Sequence, residues 1–215
     1  MRKLSYVVAF FAVIGTMILN ILSVQRPDWL VTKRPDIIHK EVVVSYGLAS
    51  RCELRVMEVP APSGGTLTYT SYDCRPFPKR VEDGCEKENK AFCMIWGTSS
   101  YFAELGIGFA VVACLAIIFG VTTHSRRRRI WKSASFLVAL HVISQIVAFA
   151  IVTDLYRRDS FPTFERARPG LAYVLNVVSW VLGILVTAGI VITGNAAKHG
   201  HQWAAGNRAY RPISG

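Results

Sequence analysis

YFAELGIGFAVVACLAIIFGVTT, residues 101–123, decides the architecture. It contains no Lys, Arg or Pro, and Glu104 is its single ionisable carboxylate. A helix needs about 20 mostly apolar residues to cross a hydrocarbon core of about 30 Å. Three more stretches meet that length, residues 4–24, 133–155 and 171–193, and none holds Lys, Arg or Pro. Helices of a soluble core rarely stay apolar on every side for so long. With 52% hydrophobic residues gathered in such blocks, the chain reads as a mainly α membrane protein. The expected fold is a four-transmembrane-helix bundle with a small extracellular antiparallel β-sheet in the first outer loop. Residues 1–215 form one membrane domain with an outer loop at 25–100 and a tail at 194–215.

The first apolar block follows Arg2 and Lys3, as in a secretory leader. Its length exceeds a leader's apolar core, and Ser23-Val24-Gln25-Arg26 offers no small-x-small cleavage site, so it reads as an uncleaved anchor.

Charge sets the expected orientation. With both termini in the cytosol, the inner segments carry Arg2, Lys3, Arg126, Arg127, Arg128, Arg129, Lys132, Lys198, Arg208 and Arg211, and no Asp or Glu. The loop 156–170 has Arg157, Arg158, Arg166 and Arg168 against Asp159 and Glu165. The loop 25–100 is too long for the positive-inside rule and is nearly balanced. The net charge of +11 is therefore mostly an inner-face charge, which makes a nucleic-acid partner unnecessary. Arg126–Arg129 with Trp131 and Lys132 read as orienting charge beside an interface aromatic, and as a binding site for anionic lipid head groups.

Cys52, Cys74, Cys85 and Cys93 all fall in the large loop, an even number in an oxidising compartment, which reads as disulfides. Cys114 lies within the second span and reads as a small packing residue. Arg51-Cys52-Glu53-Leu54-Arg55-Val56 alternates charged and apolar residues with the period of a half-buried strand. Residues 66–72 (TLTYTSY) favour a strand, 60–65 (PAPSGG) a turn, and 41–46 (EVVVSY) a third strand. A hairpin centred on Ser63 opposes residues whose numbers sum to 126. Cys52 then faces Cys74, Leu54 faces Tyr72 and Val56 faces Thr70, all on one side. Opposed residues stand about 4.5–5.5 Å apart at Cα, within the range of a disulfide. Cys85 and Cys93 are harder to place. Residues 86–96 read as a short helix, and a helix running from Cys85 would separate the two by about 12 Å. Their pairing requires a bend, for which Gly84 is a candidate, and three connectivities of the four cysteines stay open.

Small residues recur every fourth position: Gly106, Ala110 and Cys114; Ser179, Gly183 and Thr187; Ala12 and Thr16. Such stripes let helices approach closely in lipid. Glu104 and Asp154 lie at the outer ends of spans, where a carboxylate reaches water. His141 and Gln145 share a helix face and could bond to Asn20 or Asn176. The spans hold no second histidine, which excludes bis-His haem within one chain, and no cofactor or metal is expected. No nucleophile-elbow, Cys-x-x-Cys or His-Glu-x-x-His motif occurs, so the chain is not read as an enzyme. The outer loop has no Asn-x-Ser/Thr acceptor for N-glycosylation.

Trp29, Gly47-Leu48, Cys52 and Cys74, with four apolar blocks around them, resemble the signature of the claudin superfamily. Two features depart from it. Ala49 stands where the pattern has a second Trp, and the gap from Cys52 to Cys74 is longer than in vertebrate claudins. The extra pair Cys85/Cys93, with His141, Gln145 and Asp154, is more similar to fungal claudin-like tetraspans, the PalI-type pH-response and eisosome-associated proteins. The tail also lacks a hydrophobic C-terminal tetrapeptide for scaffold binding, ending in Pro-Ile-Ser-Gly. The resemblance implies that Trp29 and Gly47-Leu48 pack at the membrane-proximal side of the sheet. It further implies a multi-pass plasma-membrane protein that organises lateral or cell-surface contacts, through self-association or another membrane protein. An auxiliary or sensor subunit of a signalling or channel complex is the second reading. A membrane enzyme or transporter is the third.

Overall fold

The computed structural model describes residues 3–35, 40–60, 66–122, 127–162 and 164–205. In chain order the elements are α1 (Lys3–Gln25), β1 (Leu30–Pro35), β2 (Lys40–Tyr46), β3 (Ser50–Pro60) and β4 (Thr66–Pro76). There follow α2 (Lys90–Thr122), α3 (Arg127–Arg157), a 3-10 turn (Phe164–Arg166), β5 (Ala167–Pro169), α4 (Leu171–Lys198) and α5 (Gln202–Ala205). Four helices among the described residues are long and apolar enough to cross a membrane: Leu4–Gln25, Lys90–Thr122, Ile130–Arg157 and Leu171–Lys198. Residues 61–65 of the expected turn at 60–65, Arg126 and the tail beyond 205 lie outside the described residues, and Pro60 ends β3.

The helices overrun the expected spans. The 33 residues of α2 would extend about 50 Å. It begins at Lys90, so the expected helix over 86–96 is corrected: residues 81–89 form turns. Gly84 has φ +68°, a left-handed conformation that costs glycine little. The Asn89 side chain donates to the Asp83 carbonyl at 2.9 Å, closing the turn before the helix starts.

Two compact units are distinguishable. One comprises residues 1–20, 104–146 and 178–215, and the other 21–103 and 147–177. In the first, Tyr6, Val13, Ala110, Ala113, Cys114, Ile117, Ala134, Val138 and Ile190 form a buried cluster. The expected small stripes fall in this unit. Gly106, Ala110, Cys114, Ser179, Gly183 and Thr16 are buried, whereas Ala12 and Thr187 are half-buried. Ser179 Oγ donates to the Thr16 carbonyl at 2.9 Å, tying α4 to α1. A Cβ on Gly183 would meet the Val142 side chain, and one on Gly120 the Tyr6 ring. These are the close helix approaches that small residues permit.

The second unit holds one antiparallel sheet of order β4-β3-β2-β1-β5. The expectation of a sheet confined to the first loop is corrected, because β5 comes from the segment between α3 and α4 and pairs with β1 (Val31 opposite Arg168). The sheet's buried side shares a core with helix residues of the same unit, including Phe92, Trp96, Ala103, Ala148, Val152, Leu155 and Ala172. Rings of Tyr46, Phe77, Phe92, Phe161 and Phe164 meet with centroids 4.7–6.2 Å apart, mostly edge to face.

Candidate functional site: the five-stranded sheet

The registers place residues in rows across the strands. On one face Arg168, Val31, Ser45, Cys52 and Cys74 form a row, followed by Lys33, Val43, Leu54 and Tyr72, then Glu41, Val56 and Thr70. Val31, Val43, Leu54 and Val56 are half-buried, and Tyr72 is 64% exposed. This face thus carries an apolar strip (Val31, Val43, Leu54, Val56) crossed by a disulfide, with Arg168, Lys33 and Glu41 beside it. On the other face Leu30, Thr32, Val44 and Tyr46 are buried. Moving to β3 and β4, that face becomes charged: Arg51, Glu53 and Arg55 on β3 and Asp73 and Arg75 on β4.

Cys52 and Cys74 are disulfide-bonded and directly opposed, with Cα atoms 4.1 Å apart. Leu54 faces Tyr72 and Val56 faces Thr70 in the same ladder. Cys85 and Cys93 form the second bond, with Cα atoms 5.6 Å apart. The turns before α2 supply the bend that this pair requires. Cys114 is a buried free thiol.

Trp29 and Leu48 are fully buried. Trp29 Nε1 donates to the Ser23 carbonyl at 2.8 Å, and Ser23 Oγ to the Ala172 carbonyl at 2.7 Å. Gly47 sits where a Cβ would come 2.6 Å from Pro27 Cα and 2.8 Å from the Arg26 oxygen, both main-chain atoms that cannot swing away. Ala49 is exposed. The indole that packs beside Leu48 is Trp96 of α2, whose Nε1 donates to the Leu48 carbonyl at 3.2 Å.

The charged part of the sheet has an anchored ion pair that the sequence did not signal. The Arg75 guanidinium forms a two-pronged bond to the Asp83 carboxylate, with Nη1 2.7 Å from Oδ2. The Lys79 amide donates to the same Oδ2 at 2.7 Å. The Asp83 side chain is only 2% exposed. Burial works to raise its pKa. The Arg75 and Lys79 hydrogen bonds and the charges of Arg75 and Arg51 outweigh that, and hold it below the usual carboxylate range. Arg75 is correspondingly pushed up by Asp83. Arg51 lies 5.3 Å from the Tyr46 ring centroid, a cation–π contact at the border of the core. Arg55 pairs with Glu53 at 2.9 Å.

The other residues singled out by sequence do not gather into a site. Glu104 and Asp154 are exposed, and Asp154 pairs with Arg158 at 2.8 Å. His141 and Gln145 are buried. His141 Nδ1 lies 2.8 Å from the Gly106 carbonyl, so α2 main chain takes the place expected for an asparagine; a carbonyl only accepts, so Nδ1 carries the proton. Arg127, Arg128 and Arg129 open α3, and Lys132 is exposed. Among the described residues no group of three or more His, Cys, Asp or Glu could hold a metal ion.

The outermost strand carries the features that sequence reasoning passed over. From Thr66 to Tyr72, β4 has neither a charge nor a proline; among the described residues it pairs on one side only, with β3, and Leu67 (62%), Tyr69 (62%) and Tyr72 (64%) are exposed. Thr and Tyr enrichment gives the strand, but which strand ends the sheet depends on the pairing order. No family model and no curated protein matches the chain.

Proposed function

We propose that this chain is a claudin-like four-helix-bundle protein of the plasma membrane, with both termini cytosolic, that organises lateral or cell-surface contacts through its disulfide-closed sheet. One observation carries the reading: the charge-free stretch Thr66–Tyr72 of β4, at the edge of the sheet formed by the described residues, with Leu67, Tyr69 and Tyr72 exposed. An unpaired edge of this kind offers main-chain donors and acceptors to another strand, and soluble proteins usually guard it with charge or proline. Over Thr66–Tyr72 that guard is missing, with Asp73, Arg75 and Pro76 confined to the far end of the strand, while two disulfides hold the unit's shape. Supporting this, Trp29, Gly47, Leu48, Cys52 and Cys74, which carry the resemblance, all lie in the unit of residues 21–103 and 147–177.

The test is homotypic clustering of tagged protein at the cell surface. Tyr69→Lys together with Tyr72→Lys should place charge on the edge and disperse the clusters, while surface delivery and both disulfides persist. Clusters that survive this change remove the edge from the mechanism. Tags at both ends should be reached by antibody only after permeabilisation; labelling of intact cells reverses the proposed orientation.

A further inference from the structure

The last described element exposes an indole among cations. Ala204 is fully buried, while the adjacent Trp203 is 55% exposed. Lys198 closes α4, and Lys198, His199 and His201 are exposed. Gly200, at φ +80°, turns the chain between the helices. The start of α3 lies alongside the last turns of α4: a Cβ on Gly194 would run into the Trp131 ring, and the next residue, Lys132, is exposed. No Asp or Glu occurs in residues 124–132 or 194–215.

An exposed tryptophan just past the end of an apolar helix has a physical use at a bilayer interface, where its ring is buried and its N–H stays wet. Lysines at the same level attract acidic head groups. A soluble acidic partner would account for the charge but not for an indole held at a span's end. We propose that Trp203, Lys198 and Lys132 form a docking surface for anionic phospholipid head groups, with the Trp203 ring inserted at the interface and His199 and His201 as supporting polar groups. This concerns the unit that lacks the sheet and does not depend on the sheet's role in contacts.

Quenching of Trp203 fluorescence tests it in full-length protein held in lipid nanodiscs. Both leaflets then have one composition, so the result does not depend on orientation. Discs contain phosphatidylserine and phosphatidylcholine in one fixed ratio, with an equal amount of brominated chain carried by one lipid or the other. The chain has five tryptophans, so the Trp203 signal is the difference between the native protein and Trp203→Phe. Each lysine should enrich the acidic lipid about fivefold locally. Brominated phosphatidylserine should therefore quench Trp203 clearly more than brominated phosphatidylcholine. Lys132→Gln with Lys198→Gln should bring the ratio towards one while circular dichroism stays unchanged. Equal quenching by the two lipids in native protein makes Trp203 a general interface anchor and overturns head-group selection. Absence of quenching by either puts Trp203 in water and overturns the surface altogether. Loss of the preference on adding inorganic phosphate at constant ionic strength would assign the lysines to a free anion instead of a lipid.

Discussion

Trp96 Nε1 donates to the carbonyl oxygen of Leu48 at 3.2 Å, joining α2 to the turn between β2 and β3. Both side chains are buried, and the indole also meets Phe77, Phe92 and Phe164 with centroids 5.6–5.7 Å away. The bond satisfies a buried N–H that would otherwise cost free energy, and it fixes a large ring where the sheet and the helix share one core.

Replacing Trp96 tests that relationship. Trp96→Ala should destabilise the sheet-containing unit by about 3–5 kcal/mol through the cavity it leaves. Trp96→Phe keeps part of the ring and should cost less. Protease resistance of residues 25–100 in purified protein is the measurement. Equal resistance for the alanine variant and the native chain would show that the indole is dispensable.

The two disulfides predict a specific peptide map. Non-reducing mass spectrometry should return Cys52 linked to Cys74 and Cys85 linked to Cys93, with Cys114 alkylated only after unfolding. Cys52→Ser or Cys74→Ser should lower the stability of the loop by about 2–4 kcal/mol. Cys114→Ala, a one-atom truncation in the other unit, should leave loop folding and delivery nearly unchanged. A Cys52–Cys85 peptide from delivered protein would overturn the pairing.

Asp83 should make the sheet-containing unit acid-sensitive. Its pKa is depressed in the folded state, so the stabilisation is complete above the ordinary carboxylate pKa, about 4. It is lost as pH falls from there through the lower folded-state value. Asp83→Asn should remove about 2 kcal/mol at neutral pH and flatten the stability profile below about pH 4. Thermal melts of the reconstituted protein across that range provide the check. A variant that keeps the native acid slope would transfer the effect to another carboxylate.

Glycines on α2 should separate by environment. A Cβ on Gly106 would run into the Gln145 side chain, whereas one on Gly108 meets nothing within 4 Å. Gly106→Ala should therefore cost about 1–3 kcal/mol through overpacking and disturb the His141 bond to that residue's carbonyl. Gly108→Ala should be neutral or stabilising by up to about 1 kcal/mol, since alanine is the better helix former. Melting temperatures of the two variants in one detergent decide between them, and equal values would argue against the close approach at Gly106.

Local chemistry determined a good deal of this protein. Apolar blocks longer than a bilayer's hydrocarbon core is thick read as membrane-length helices, because a soluble core rarely buries so long an all-round apolar surface. The period-two pattern of Arg51–Val56 fixed which β3 residues share a face. Counting outward from the Pro/Gly-rich turn then gave the pairing of Cys52 with Cys74, because a hairpin's register depends on residues near in sequence. The tertiary structure alone decided what depends on distant segments meeting. The pairing of β5 with β1, the placement of Trp96 under Leu48 and the choice of β4 as an edge strand each depend on which remote elements become neighbours. The same holds for Asp83, which looks like one acid among several in residues 82–88 and becomes an anchored partner only because the hairpin delivers Arg75 to it. Neither propensity nor periodicity carries that information, since the contact energy arises only after the chain has brought the two groups together.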